Sequence, residues 1–74
     1  MEKTNFIRFS YDGYIWMWPV EGTNDNWDFA IPECSSEEDS SLVLTLDDID
    51  GADDDFLYIN GIKIPYIFIE GRIR

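Results

Sequence analysis

The sequence predicts an all-β fold, or a mainly β fold with one short helical turn, arranged as a small antiparallel sheet or barrel of five to six short strands. Two dipeptides that favour β-hairpin turns, Asp12-Gly13 and Asn60-Gly61, lie near opposite ends of the chain within alternating sequence. Three Trp, four Tyr and five Phe supply bulky core side chains to a chain of 74 residues. That length has room for one core, so we expect a single acidic β domain over residues 1–74.

The first hairpin is predicted to turn at Asp12-Gly13. A type I′ turn needs positive φ at both central positions, which Asp and Gly tolerate. Pairing outward from the turn places six large side chains on one face: Tyr11 opposite Tyr14, Phe9 opposite Trp16, and Ile7 opposite Trp18. The other face is mixed, as expected for a hairpin that lies over a core.

The second hairpin is predicted to turn at Asn60-Gly61 by the same reasoning. It sets Leu57 opposite Ile64, and its second strand continues through residues 66–69. Because Pro65 has no N–H to donate, we expect this strand to lie at a sheet edge or to bulge there. Glu70-Gly71 would turn the chain again before a short pairing tail at residues 72–74.

Two shorter strands are predicted between the hairpins. One covers residues 27–31 with Trp27, Phe29 and Ile31 inward, and the other covers residues 42–46 with Leu42, Leu44 and Leu46 inward. Residues 33–41 between them have the composition of a polar, acidic loop with little to bury. Thr45 and Asp48 have the spacing of a capping box, which allows one helical turn that Gly51 would soon stop.

Charge is distributed unevenly along the chain. Between Arg8 and Lys63 lie 54 residues without Lys, Arg or His, and these residues hold 14 of the 16 carboxylates. Surface charges are normally mixed in sign, because opposite neighbours relieve mutual repulsion. The readiest explanation is a strongly basic partner, and an acidic solubility coat is the alternative.

Several function classes are disfavoured by the residue inventory. The chain has no His, no phosphate-binding Gly-rich loop and no zinc-ligand spacing, so we expect no catalytic residues and no cofactor. A lone cysteine, Cys34, is expected to be a structural or bystander thiol. Placing Gly51 at the sixth position of an EF-hand loop puts Leu46 and Leu57 at its anchoring positions, so we expect no metal site.

The start of the chain lacks a signal peptide pattern, and no apolar run is long enough for a membrane span. We therefore expect no membrane association and a cytoplasmic location, in the host cell if the protein is phage encoded.

The candidate partner-binding surface is acidic, with two aromatic side chains, Trp27 and Tyr58, as candidate apolar anchors. Its carboxylates fall in three short runs: Glu37, Glu38 and Asp39; Asp47, Asp48 and Asp50; and Asp53, Asp54 and Asp55. The 14 carboxylates of the window, carried by a compact domain about 30 Å across, give a charge per unit length similar to that of duplex DNA, which carries one charge per about 1.7 Å.

In composition the chain is similar to the small acidic DNA-mimic inhibitors that phages use against restriction, CRISPR and repair enzymes. This similarity implies a non-enzymatic inhibitor that blocks the nucleic-acid site of a basic host protein, a transcription factor included, without binding nucleic acid itself. The alternative is an immunity or interaction protein that neutralises a basic toxin or another cationic partner.

Overall fold

The computed structural model describes residues 4–71, which form eight strands and one 3-10 turn. The strands are β1 (Asn5–Tyr11), β2 (Tyr14–Thr23), β3 (Asn26–Phe29), β4 (Glu33–Ser35), β5 (Val43–Thr45), β6 (Ile49–Ala52), β7 (Phe56–Ile59) and β8 (Ile62–Ile69). Six of them make an antiparallel sheet in the order β3-β2-β1-β8-β7-β6, and β4 pairs with β5. The large sheet curls into a half-barrel, so the predicted all-β fold is confirmed.

The first hairpin has the predicted turn and register. Asp12 and Gly13 have φ values of 54° and 81°, as a type I′ turn requires. Phe9 lies opposite Trp16 and Ile7 opposite Trp18, and all four side chains are buried. The aromatic face of this hairpin therefore forms part of the concave side of the sheet, where the core lies.

The second hairpin also forms as predicted, but the expectation about Pro65 is wrong. Strand β8 lies between β7 and β1 instead of at an edge. Its first half pairs with β7, where Pro65 is opposite Phe56, and its second half pairs with β1 from Tyr66 onward. The Tyr66 N–H donates to the Asp55 carbonyl on the β7 side, so the nitrogen of the preceding residue, Pro65, faces the β1 side. On that side the pairing with β1 has already ended, at Phe9 and Tyr66. An interior strand tolerates proline there because no ladder hydrogen bond is lost.

The core lies under the centre of the large sheet. Its largest fully buried side chains are Trp18, Ile7, Leu57 and Ile59. The Trp18 indole N–H donates to the Ile31 carbonyl at 3.1 Å, which satisfies the polar edge of a ring that is otherwise surrounded by apolar groups. Among the described residues, no buried side-chain nitrogen or oxygen is left without a hydrogen bond.

The short strands between the hairpins differ from the prediction at their ends. Strand β3 stops at Phe29, and Ile31 is 40% exposed because the chain bends at residues 30–32 toward β4. Leu44 is buried as predicted, whereas Leu46 is 44% exposed because it begins the 3-10 turn Leu46–Asp48. That turn follows a capping box formed by Thr45 and Asp48, as expected from their spacing.

The segment predicted as a polar loop contains strand β4. Cys34 in this strand is buried and lies opposite Leu44 of β5. Ser36, also buried, forms an isolated bridge with Trp16, and its hydroxyl donates to the Ile15 carbonyl at 3.0 Å. The loop expectation was therefore wrong at Glu33–Ser35, because this segment covers the part of β2 that β3 does not reach.

The predicted tail at residues 72–74 lies outside the described residues. No helix within residues 4–71 is long and apolar enough to cross a membrane.

Candidate partner-binding cleft

A cleft of about 630 Å³ opens between the two end strands of the curled sheet. One wall is residues 24–29, which make the β2–β3 turn and β3, and the other is residues 49–56, which include β6 and the turn into β7. Tyr66 of β8 completes the lining. Six carboxylates belong to these walls: Asp25, Asp28, Asp50, Asp53, Asp54 and Asp55.

The apolar part of the cleft is aromatic. The Trp27 ring makes edge contacts with Phe29 and Tyr66, with ring centroids 5.2 and 5.6 Å apart. The Trp27 indole N–H donates to the Tyr66 hydroxyl at 3.2 Å, and that hydroxyl donates to the Asp53 carbonyl at 2.8 Å. Ile49 also packs against the core from the β6 side. Trp27 is thus a half-buried part of the cleft wall.

The turn at residues 53–55 is fixed by its backbone. The Asp53 N–H donates to the Phe56 carbonyl at 2.7 Å, and the Asp55 carbonyl accepts from the Tyr66 N–H at 3.2 Å. The side chains of Asp54 and Asp55 are exposed, and within the described residues no side-chain hydrogen bond holds either of them. The backbone of Asp54 and Asp55 is therefore held in place, while their two carboxylates are exposed to solvent.

Tyr58, the second expected anchor, does not line the cleft but contacts Asp53, which does. Its hydroxyl donates to Asp53 Oδ2 at 2.7 Å, and this hydrogen bond to the carboxylate is the main cause of a raised pKa for Tyr58. The Tyr58 side chain is half-buried and lies opposite Lys63 on the convex side of the sheet. Its contact with the cleft is therefore the bond that orients Asp53.

A second acidic run extends from the cleft to the Asn60-Gly61 turn. Asp50 lines the cleft and also accepts from the Gly61 N–H at 2.6 Å. Asp48 accepts from the Thr45 N–H and the Asn60 side-chain amide, and the first of these bonds is the main reason that its pKa lies below the ordinary value. Asp47 is exposed in the same 3-10 turn. Asp50 is therefore the residue that links the cleft to this end of the sheet.

The third acidic run, at residues 37–39, lies outside the cleft. Glu38 Oε1 accepts from the Ile15 N–H at 2.8 Å, so this loop covers the edge of β2. Asp39 accepts from the hydroxyl and the backbone N–H of Ser41, and these bonds lower its pKa. Of the nine expected carboxylates, the structure brings four together and places the others elsewhere; the four are Asp50, Asp53, Asp54 and Asp55.

Sequence reasoning missed two members of the cleft, Asp25 and Asp28. They lie on the β2–β3 hairpin, about 25 residues from the turn at residues 53–55. The sequence does contain one indication that Asp28 lies near an aromatic surface, because it stands between the inward-facing Trp27 and Phe29. It becomes interpretable only when β3 and β6 are known to face the same cleft.

Cys34 does not contribute to the cleft. Its thiol donates to the Met17 carbonyl at 3.2 Å beneath β2. Burial, with a smaller contribution from the Glu37 carboxylate, raises the pKa of the Cys34 thiol to about 11. The thiol is therefore protonated at neutral pH and is a weak nucleophile.

Neither side-chain cation of the described residues belongs to the cleft lining, although Lys63 contacts Phe56 of that lining. Arg8 is exposed on the convex face of β1, between Met17 and Ile67. Lys63 Nζ lies 4.1 Å from the centre of the Phe56 ring, a cation–π distance. Within residues 4–71, no three His, Cys, Asp or Glu side chains are grouped so as to hold a metal ion. The cleft lining thus combines an aromatic part with negative charge, which suits an organic cation or a basic polypeptide.

Comparison with known proteins gives no relative: no family profile, curated protein or solved structure matches this chain. Function must therefore be inferred from the charge and geometry of the chain itself.

Proposed function

We propose that this protein is a non-enzymatic inhibitor, encoded by a phage or another mobile element, that blocks the nucleic-acid site of a basic host protein. The target class is a restriction, CRISPR, repair or transcription protein, and carboxylates stand where phosphates would bind. One observation carries the proposal: six carboxylates line a single cleft, and no cationic side chain of residues 4–71 takes part in that lining. Charge of one sign, collected on one part of a small domain, favours a partner of the opposite sign.

The charge density supports a nucleic-acid target. Fourteen carboxylates lie within residues 12–55, and the longest dimension of the molecule is 35 Å, which gives one charge per about 2.5 Å. Duplex DNA carries one charge per about 1.7 Å of its axis. The protein therefore reaches roughly two-thirds of the linear charge density of the ligand that it would replace.

Fixed carboxylates also support the proposal. Hydrogen bonds from backbone or side-chain donors hold Glu38, Asp48, Asp50 and Asp53 in place. Two of the carboxylates outside the cleft, Asp39 and Asp48, have lowered pKa values and so stay ionised well below neutral pH. A charge array that is ordered before binding loses less conformational entropy when the complex forms.

A pair of matched variants tests the proposal. The cleft variant is D25N/D54N/D55N, and the control D12N/E33Q/E37Q removes the same charge from outside the cleft lining. Basic proteins captured from host lysate should bind the wild type in a salt-sensitive manner, and duplex DNA should compete. The cleft variant should lose much more affinity than the control. Equal affinity of all three proteins, with no effect of salt or DNA, would leave the acidic residues as a solubility coat.

A second function, neutralisation of a basic toxin or other cationic protein, is favoured by the shape of the site. A concave cleft with an aromatic wall accommodates a protruding basic segment, whereas duplex phosphates lie on a convex surface. The same capture experiment separates the two functions. Several nucleic-acid-binding proteins displaced by DNA indicate mimicry, and one cationic protein that DNA does not displace indicates neutralisation.

A further inference from the structure

We infer that the cleft receives an extended basic segment of the partner protein as an additional strand between β3 and β6. The inference rests on the proposed function, because it names the part of a basic partner that enters the cleft. Strands β3 and β6 end the sheet, and each pairs with one neighbour, β2 and β7 respectively. Both end strands line the cleft, so the opening in the half-barrel is bounded by two sheet edges.

The edge of β3 has the hydrogen-bonding groups that an added strand needs. The Ala30 N–H donates to the Pro19 carbonyl. Because backbone N–H groups alternate in direction along a strand, the N–H groups of every second residue, counted back from Ala30, point toward β2. The N–H groups of Trp27 and Phe29 consequently point away from β2. The Phe29 N–H is occupied by Asp28 Oδ1 at 2.8 Å, whereas the Trp27 N–H faces the open edge. Trp27 is therefore the position at which pairing with a partner strand would start.

The lining determines the chemistry of the occupant. Side chains of a strand alternate between its two faces, so one set would contact Trp27 and Tyr66 while the other set would meet the carboxylates. The complementary segment alternates apolar with Lys or Arg residues. Each edge strand has four residues, which corresponds to about 13 Å of extended chain. Charge complementarity then selects a basic segment, and edge pairing selects an extended one.

Two peptides of equal charge test this inference. The first is an end-blocked peptide of about seven residues that alternates Lys and Val, long enough to span either edge strand. The second has the same sequence with N-methyl groups on the Val residues, which removes backbone donors and keeps the charge. Calorimetry gives the affinities, and amide hydrogen exchange gives the protection of the Trp27 N–H.

We expect the unmodified peptide to bind about tenfold more tightly than the methylated one, because it alone forms the full set of backbone hydrogen bonds. It should also slow exchange at the Trp27 amide. The D25N/D54N/D55N variant should bind it more weakly than the D12N/E33Q/E37Q control, with both variants shown to be folded by circular dichroism.

Equal affinity for the two peptides, unchanged exchange at Trp27, or no binding of either peptide would overturn strand addition. Those outcomes leave the proposed function standing, because that function is judged on whole basic proteins in competition with DNA. Conversely, peptide binding as expected, together with whole-protein capture that is indifferent to salt and DNA, would overturn DNA mimicry and retain the strand site.

Discussion

Replacing Gly22 with alanine should destabilise the protein more than the same change at any turn glycine that has open space around it. Gly22 lies in β2 opposite Trp27, with a φ of 103°. A Cβ added to it would lie 2.2 Å from the Asn26 carbonyl oxygen and 3.1 Å from the Trp27 Cα. The first contact is with backbone, so the β2–β3 hairpin must move to accept the methyl group.

The expected loss combines two costs. A positive φ costs an L-residue about 1–2 kcal/mol. Displacing the hairpin also weakens the packing of Trp27 and Phe29 on the core, so we expect a total loss of about 2–4 kcal/mol. A domain of this size is stable by roughly 4–11 kcal/mol, so this loss is a large part of the whole.

Gly13→Ala is the matched control. Gly13 has a φ of 81°, and nothing lies within 4 Å of the position that its Cβ would take. The free energy of unfolding of this variant should fall only by the cost of a positive φ, about 1–2 kcal/mol. Urea unfolding followed by tryptophan fluorescence gives both free energies of unfolding. Equal losses in the two variants would refute the reasoning, because the close approach of Asn26 to Gly22 would then carry no cost.

Three further predictions concern the core, the thiol and the charge. Leu57→Ala should lose about 2–5 kcal/mol in urea unfolding, because Leu57 is fully buried, while Ile62→Ala at a 54% exposed site should change stability by less than about 1 kcal/mol. Since the pKa of Cys34 is raised to about 11 in the folded state, its stabilising contribution is present below about pH 9 and lost as the pH rises toward 11. Across that range the free energy of unfolding should therefore fall more for the wild type than for Cys34→Ala, and parallel falls would contradict this. Added NaCl should raise the melting temperature in scanning calorimetry by screening carboxylate repulsion, and a flat salt series would show that the repulsion is already relieved.

The two hairpins could be predicted from sequence because their determinants are local. Asp12-Gly13 and Asn60-Gly61 occupy positions that need positive φ, and the structure gives all four residues such values. Once a two-residue turn is placed, the register of both strands follows without further information. Each opposed pair expected beside these turns is present.

Contacts between distant segments were less predictable. Nothing near Pro65 in the sequence shows that β8 pairs with β7 on one half and with β1 on the other. Residues 33–35 looked like loop because a three-residue strand leaves almost no periodic signal. Ile31 and Leu46 looked inward because alternation was extended past the bends that end their strands. For β8 and β4 a contact with a distant strand determines the local structure, whereas the strands before Ile31 and Leu46 end at local bends.

The acidic character of the site was predictable, whereas its membership was not. Sequence groups carboxylates by adjacency, which yields three runs of neighbours. The fold groups them by the edges of a curled sheet, which joins Asp25 and Asp28 to the turn at residues 53–55 and leaves the run at residues 37–39 elsewhere. Only the curl of the sheet makes the two edges share a cleft.

Several carboxylates stabilise the fold by accepting hydrogen bonds from backbone N–H groups, which the composition does not reveal. Glu38 accepts the Ile15 N–H on a stretch of β2 that lies beyond the reach of β3, and Asp50 accepts the Gly61 N–H at the second hairpin turn. These side chains take the place of sheet or turn partners, so neutralising them would confuse a loss of folding with a loss of binding. Asp54 and Asp55 project from a turn that is fixed by its backbone, which makes them better tests of recognition. An acidic surface of this kind has two parts, one that holds the chain together and one that is open to solvent, and only the second can report on a partner.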